Sequence, residues 1–192
     1  MPHRSLPALL VLGLVLALGL GCATAQPRLD GWSAEPPDFD LPSLEQRVLN
    51  EVNRTRRSLG RATLRTDSAL AALARTHSAD MLTRDFFAHR NPDGRYAGDR
   101  ARSADYAFRS FGENLFRGHL YDTVNHIRRG DVVTTDYLWY SPDELAALTV
   151  AMWMESPGHR TNMLSPDFDA GGVGIVVGRE AEVFITLNLS GH

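Results

Sequence analysis

The sequence predicts an α+β domain behind an export leader. Three observations carry this. Apolar residues recur at three- and four-residue steps over long stretches of the chain, they alternate near the C-terminus, and they form one unbroken run near the N-terminus. With 192 residues, 43% hydrophobic and 22% charged, the chain suits a single domain with an ordinary core once the leader is set aside. Net charge is −3, and −4 without Arg4 (19 Arg against 23 acids). No basic excess calls for a nucleic acid. All 20 cationic residues are Arg.

Residues 1–22 read as a signal peptide of lipoprotein type. Arg4 supplies the positive start, and Leu6 to Leu20 is apolar but short for a membrane span, which needs about 20 residues. Gly19-Leu20-Gly21-Cys22 resembles a bacterial lipobox, which makes Cys22 the lipidated residue and the chain a membrane-anchored envelope protein. Ala23-Thr24-Ala25 is the competing ordinary cleavage site, which would leave a secreted or periplasmic chain. Cys22 is the only cysteine, so no internal disulfide can form. Residues 23–40 mix Pro, Gly and polar residues and read as a flexible tether, with the folded domain at 41–192.

The first helix starts near Leu41-Pro42-Ser43. Leu41, Leu44, Val48, Val52, Thr55 and Leu59 form its buried stripe, and Gly60 closes it. Ala62-Thr63-Leu64 is a short extended link. A second helix is capped by Thr66 or Asp67 and places Leu70, Leu73, Ala74, His77 and Met81 on one face. His77 therefore points inward or to a cleft rim, and a satisfied core histidine is the plainer reading.

Phe86 and Phe87 anchor the next stretch, and Asn91-Pro92-Asp93-Gly94 turns it, with His89 fixed between them. In Phe111-Gly112-Glu113-Asn114-Leu115-Phe116 two polar residues are wedged among apolar ones. A carboxylate buried there needs a partner. Residues 117–140 look like an elaboration, with a turn at Arg128–Asp131, a strand from Val132 to Tyr140, and solvated His119 and His126.

Ser141-Pro142-Asp143-Glu144 is a capping box with Pro at the first helical position. The helix it opens buries Leu145, Leu148, Met152 and Trp153. It stops at Ser156-Pro157-Gly158, where Pro removes a donor and Gly permits unusual angles, so His159 is presented just past the stop. Two strands follow, Gly172–Val177 and Val183–Leu189, joined through residues 178–181.

No G-x-S-x-G elbow, H-E-x-x-H pair, phosphate loop or dinucleotide fingerprint is present. What remains is histidine and carboxylate: His89, Glu113 and His159. Two imidazoles and an acid can hold a divalent ion, although their spacing matches no compact metal signature.

Several motifs together resemble the CAP superfamily of cysteine-rich secretory, antigen 5 and pathogenesis-related proteins, in its bacterial SCP-like branch. They are Ala74–Met81, Phe87-Ala88-His89 with Asp93-Gly94, Gly112-Glu113-Asn114-Leu115, Trp153 with Ser156–Leu164, and Gly172-Val173-Gly174. The resemblance spans roughly residues 44–190. It implies a three-layer α-β-α sandwich with a small, largely antiparallel sheet and a cleft carrying two His and two Glu. His89, Glu113 and His159 match three of these and stand as the metal candidates. Zinc is the first expectation for the ion, with calcium or magnesium as alternatives. The second Glu falls near Ser156, with Glu155 one residue before it.

His77, Asn114, Glu155 and Ser156 complete the expected ligand-binding cleft, and the elaboration at 117–140 could cover it. The expected function is an exported binding module for a divalent metal or a small amphipathic ligand, without an assigned reaction. An envelope interaction protein using the surface around Tyr137–Tyr140 and a metal-assisted hydrolase with Glu113 as base are the alternatives.

Overall fold

A computed structural model describes residues 32–192, so the leader, Cys22 and most of the expected tether lie outside the described residues. The elements run β1 (Trp32–Ser33), α1 (Leu41–Ser58), β2 (Arg65–Thr66), α2 (Ser68–Thr83), α3 (Ala97–Ser103), β3 (Ser110–His119), β4 (Tyr121–Arg129), β5 (Val132–Trp139), α4 (Pro142–Glu155), α5 (Pro157–Leu164), β6 (Ala170–Val177) and β7 (Glu182–Gly191). A 3-10 turn at Arg179–Ala181 joins the last two strands.

The main sheet has the order β2-β6-β7-β3. Only β2 and β6 are parallel, while β6–β7 and β7–β3 are antiparallel. Strand β7 is central, and nearly every residue of it is buried. Its Val183, Ile185, Leu187 and Leu189 join Leu44, Val48 and Val52 of α1 and Leu145, Val150 and Trp153 of α4 in one core. Helix α2 lies on the opposite face, against β6 and β7. The result is the expected α-β-α sandwich.

The two outer layers are held by different chemistry. The α1/α4 side is aliphatic. On the α2 side β6 offers Gly172 and Gly174, where any Cβ would collide with the backbone of α2 at Ala71 and Arg75. The helix therefore rests almost directly on the strand. Ser78 fits this close contact by bonding Gly174 O (2.9 Å) and the Thr186 hydroxyl (2.8 Å). Glu45 of α1 clasps the edge of β6: it accepts from Ile175 N (3.0 Å) and takes Arg75 of α2 in two bonds of 2.9 and 2.5 Å.

Local rules explain the helix boundaries. Asp67 caps α2 through Ala69 N and Leu70 N, and the Ser141/Glu144 capping box opens α4. Gly60 lies at φ +70°, as a helix end requires.

Three expectations need correction, and one helix had no sequence signal. The helix opened at Ser141 ends at Glu155, as expected, but a second helix follows at once in place of an irregular stretch bearing His159. Ser156 is an extended joint (φ −84°, ψ 118°), and Pro157 opens α5, where a proline's missing donor is harmless. Gly158 is helical there and serves no unusual angle. Met152 is 48% exposed, since α4 buries Ala146, Thr149 and Val150 in place of the expected Leu148 and Met152. Helix α3 lies in a stretch whose polarity hides it. Finally, residues 117–140 do not cover the cleft. They extend β3 and then form the β4–β5 hairpin, in a separate sheet of order β1-β5-β4. Glu113 pairs with Asn188 and His119 with Glu182, so the hairpin leaves the main sheet about 20 Å along β3 from Glu113.

The folded unit also begins before residue 41. Strand β1 pairs with Leu138 and Tyr137, and Phe39 packs on the core.

Candidate functional site

Glu113 sits on β3 with only 5% of its surface exposed. Such a carboxylate needs partners, and it has two. His89 Nδ1 lies 2.9 Å from Oε1, and Arg100 Nη2 lies 2.5 Å from Oε2. The carboxylate accepts, so His89 donates from Nδ1 and turns Nε2 away from Glu113. Arg100 also donates to His89 O (2.9 Å) and Arg95 O (3.1 Å), which ties the His89 loop to α3. Upstream, Arg84 grips Asp93 at 2.9 and 3.0 Å, and Gly94 turns the chain at φ +82°.

His159 stands in the first turn of α5. Its ring approaches that of His89 edge-on, with centroids 6.1 Å apart. Burial and then the neighbouring His89 push its pKa down, which keeps it neutral at pH 7. The position of α5 follows from Asn114. That side chain is fully buried, donates to His159 O (3.0 Å) and accepts from Asn162 Nδ2 (3.0 Å), while Asn162 also bonds Glu113 O (3.1 Å). Gly112 leaves room for Phe168, whose ring a Cβ would meet at 2.7 Å. The far end of α5 is held by Arg56, buried in α1. It donates to Met163 O (2.6 Å), Ser165 O (3.1 Å) and Phe168 O (3.3 Å), and to Ala62 O (2.7 Å). The bond to Met163 O satisfies a carbonyl that the C-terminus of α5 leaves open, and the others hold the loops on either side.

Three distant segments therefore converge, as His89, Glu113 and His159 were expected to do. The other expected cleft residues divide. His77 is buried, 4.0 Å from Glu113 and 3.0 Å from Ala88 O, with Nδ1 unpartnered. Burial lowers its pKa, so it is a neutral core histidine. Asn114 has no surface to offer a ligand and acts by positioning α5. Ser156 is half-buried at the joint between α4 and α5. Glu155 is exposed with no hydrogen bond or ion pair among the described residues, one helical step off the position a second acid would need.

Arg100 and Arg56 were not anticipated. A buried Glu implies a cationic partner, but nothing in a chain with 20 arginines singles out Arg100.

A groove of about 530 Å³ opens beside His89, walled by Tyr96, Phe108 and Phe111 and flanked by Arg102 and Arg109. Arg102 stacks on Phe108, 4.9 Å from its centroid. A larger groove of about 660 Å³ lies on the other side of Arg100, along α2, and is lined by Asp80, Arg84 and Asp93. It does not reach the histidine pair.

The metal candidates do not fit as a three-ligand site. Both Glu113 oxygens are taken, one by a fixed guanidinium whose charge opposes a cation. No group of three His, Cys, Asp or Glu poised for a metal occurs among the described residues. The imidazole pair alone retains free nitrogen donors.

An α-β-α sandwich with paired histidines over a buried Glu, and an Asn holding the helix that bears the second histidine, defines a recognisable class of domain. The profile of the cysteine-rich secretory protein (CAP) family matches residues 49–189, and the chain belongs to that family. The Bacillus subtilis protein YkwD is 30% identical over 136 residues, 71% of this chain and 44% of that protein. An extracellular SCP-domain protein of Bacillus anthracis superposes with TM-score 0.60 at 25% identity, over 82% of this chain and 45% of that one. The chain thus spans less than half the length of either relative. An outer surface protein of Borrelia burgdorferi shares the fold at TM-score 0.62 and 15% identity, over 82% of this chain and 99% of its own.

Proposed function

We propose that this CAP-domain protein is exported and acts as a binding module, holding a small amphipathic ligand in the groove beside His89. Export is supported by the leader and by structural neighbours that are extracellular or outer-surface proteins. The observation that carries the binding reading is the state of Glu113. Its charge is occupied by Arg100 and His89, so it is poorly placed to take a proton from water, and its role is to orient His89. The groove then presents aromatic faces, two arginines and an imidazole edge. That combination suits a ligand with an apolar face and a polar or acidic end.

One observation favours a second reading. A histidine that donates one ring N–H to a carboxylate is oriented to offer its other nitrogen to a metal. A divalent ion would then be held by His89 Nε2 and His159, with Glu113 outside the ligand set.

Native mass spectrometry of the mature chain isolated from its own envelope tests the first reading. A bound small molecule is expected, lost in His89→Ala and Arg109→Ala. A ligand-free wild type would count against it. Zinc titration separates the second reading. Binding abolished by His89→Ala and by His159→Ala supports the imidazole pair, and affinity unchanged in both removes it.

A further inference from the structure

The β4–β5 hairpin belongs to neither the sandwich nor the histidine cleft. Its root reaches the core through Leu120, Trp139 and Tyr140. Beyond the root, its strands pair with each other and with the two residues of β1, and among the described residues no helix forms a layer over them.

Pairing of Arg128 with Val133, Val124 with Tyr137, and Tyr121 with Trp139 places these six residues on one face. The rings of Tyr121, Tyr137 and Trp139 touch at 4.8 to 5.8 Å. At the tip Val132 and Val133 are 62% and 50% exposed. Arg128 and Arg129 beside them have no side-chain partner among the described residues. The turn between the strands is Gly130-Asp131, so the tip sets two exposed valines and two arginines around one exposed carboxylate, while the aromatic rings lie toward the root. Exposed apolar side chains beside unpaired arginines are features that proteins present to a lipid–water interface.

The path of the chain says which surface this is. The described chain begins at β1, and Ser33 and Trp32 pair with Tyr137 and Leu138 of the hairpin. Trp139 Nε1 donates to Ser33 O at 3.1 Å. Cys22 lies ten residues before Trp32. A coil of ten residues has a root-mean-square span of about 17 Å. From Leu138 to Val132 the strand covers about 20 Å. A lipid anchor at Cys22 would therefore join the folded unit at the root of the hairpin and leave the tip within reach of the bilayer, while Glu113 lies about 20 Å away along β3 on the other side of the root.

We propose that the β4–β5 hairpin is a membrane-facing foot. Its valine tip and arginine collar rest on the anionic bilayer to which the N-terminus is tethered, and the histidine cleft is held outward. The foot rests on the export reading and on a lipid anchor at Cys22, and it fails differently from export. A leader retained on a cytoplasmic chain removes export, whereas an exported chain whose tip stays in water removes only the foot.

The test uses the mature chain carrying Val132→Cys labelled with an environment-sensitive fluorophore. This is the sole free thiol whether Cys22 is acylated or cleaved away. Titration with phosphatidylglycerol/phosphatidylethanolamine vesicles is expected to blue-shift the probe and raise its emission severalfold, with phosphatidylcholine far less effective. Adding Val133→Asp and Arg128→Glu is expected to raise the lipid needed for half-saturation at least tenfold. Unchanged thermal unfolding checks that the fold is intact. A probe that remains in water while the chain floats with vesicles through its anchor overturns the proposal. So does a lipid-independent shift that grows with protein concentration, which would make the surface a contact between two copies.

Discussion

Arg56 offers the most direct test of how the cleft is supported. It is buried at 1% exposure, and among the described residues no carboxylate lies beside it and main-chain carbonyls alone hold its guanidinium. Burial lowers its pKa, with Arg61 adding to the effect, but an arginine starts so high that it stays charged. Arg56→Met keeps most of the stem volume and removes every bond. Two of the bonds, to Met163 O and Ala62 O, are short. A bond from a charged donor is worth about 1.5–3 kcal/mol net, so the pair contributes about 4 kcal/mol. The apolar replacement recovers about 1 kcal/mol, since no charge then needs burying. The expected loss is about 3 kcal/mol, or about 6–12 °C in Tm for a domain of this size. Urea denaturation should show a lower midpoint at unchanged slope. The variant should also weaken whatever binds at His159, because the end of α5 is freed. A loss below about 1 kcal/mol would refute the account, since it would mean that water satisfies these carbonyls as well as the arginine does.

Other outcomes follow from the same geometry. Asn114→Ala should cost about 2–3 kcal/mol and lower ligand affinity without touching ligand, read by paired unfolding and binding measurements. Gly174→Ala should prevent folding or cost more than about 4 kcal/mol, because the added methyl meets α2 backbone that cannot swing away. Gly158→Ala should be neutral or stabilising by up to about 1 kcal/mol, since the position is helical and its Cβ would meet nothing within 4 Å. His77 and His159 have folded pKa values below 6.5, so the unfolded chain binds more protons as pH falls. Their contribution is complete above about pH 6.5 and is lost as pH drops toward the folded values. The urea midpoint should fall between pH 7 and 5, and more gently in His77→Gln.

Sequence alone carried the fold where one rule acted locally. The caps at Asp67 and Ser141 and the turn at Gly94 all follow from residues close together in the chain, whereas the contact of Gly172 and Gly174 with α2 joins segments about a hundred residues apart and had no local signal. The convergence of His89, Glu113 and His159 was legible only through the family resemblance, because their spacing has no helical or metal-site period. Arg100 and Arg56 were not legible. Each is chosen by which carboxylate or carbonyl lies across the fold, and that is a property of packing. The joint at Ser156 misled for a related reason: proline ends one helix and begins another equally well, and the local sequence does not say which.

The near-contact of α2 with β6 limits what this domain can carry. Where a helix stands off from a sheet on bulky side chains, a fatty chain can slip between the layers and be swallowed whole. Here Gly172 and Gly174 close that gap to the thickness of bare backbone, and the Ser78 hydroxyl fastens it. A greasy cargo of the kind proposed would find no way between α2 and β6 and would lie along the outside rim, half in water. Selection there would depend on the shape of the cargo's edge, and release would need no part of the sandwich to open.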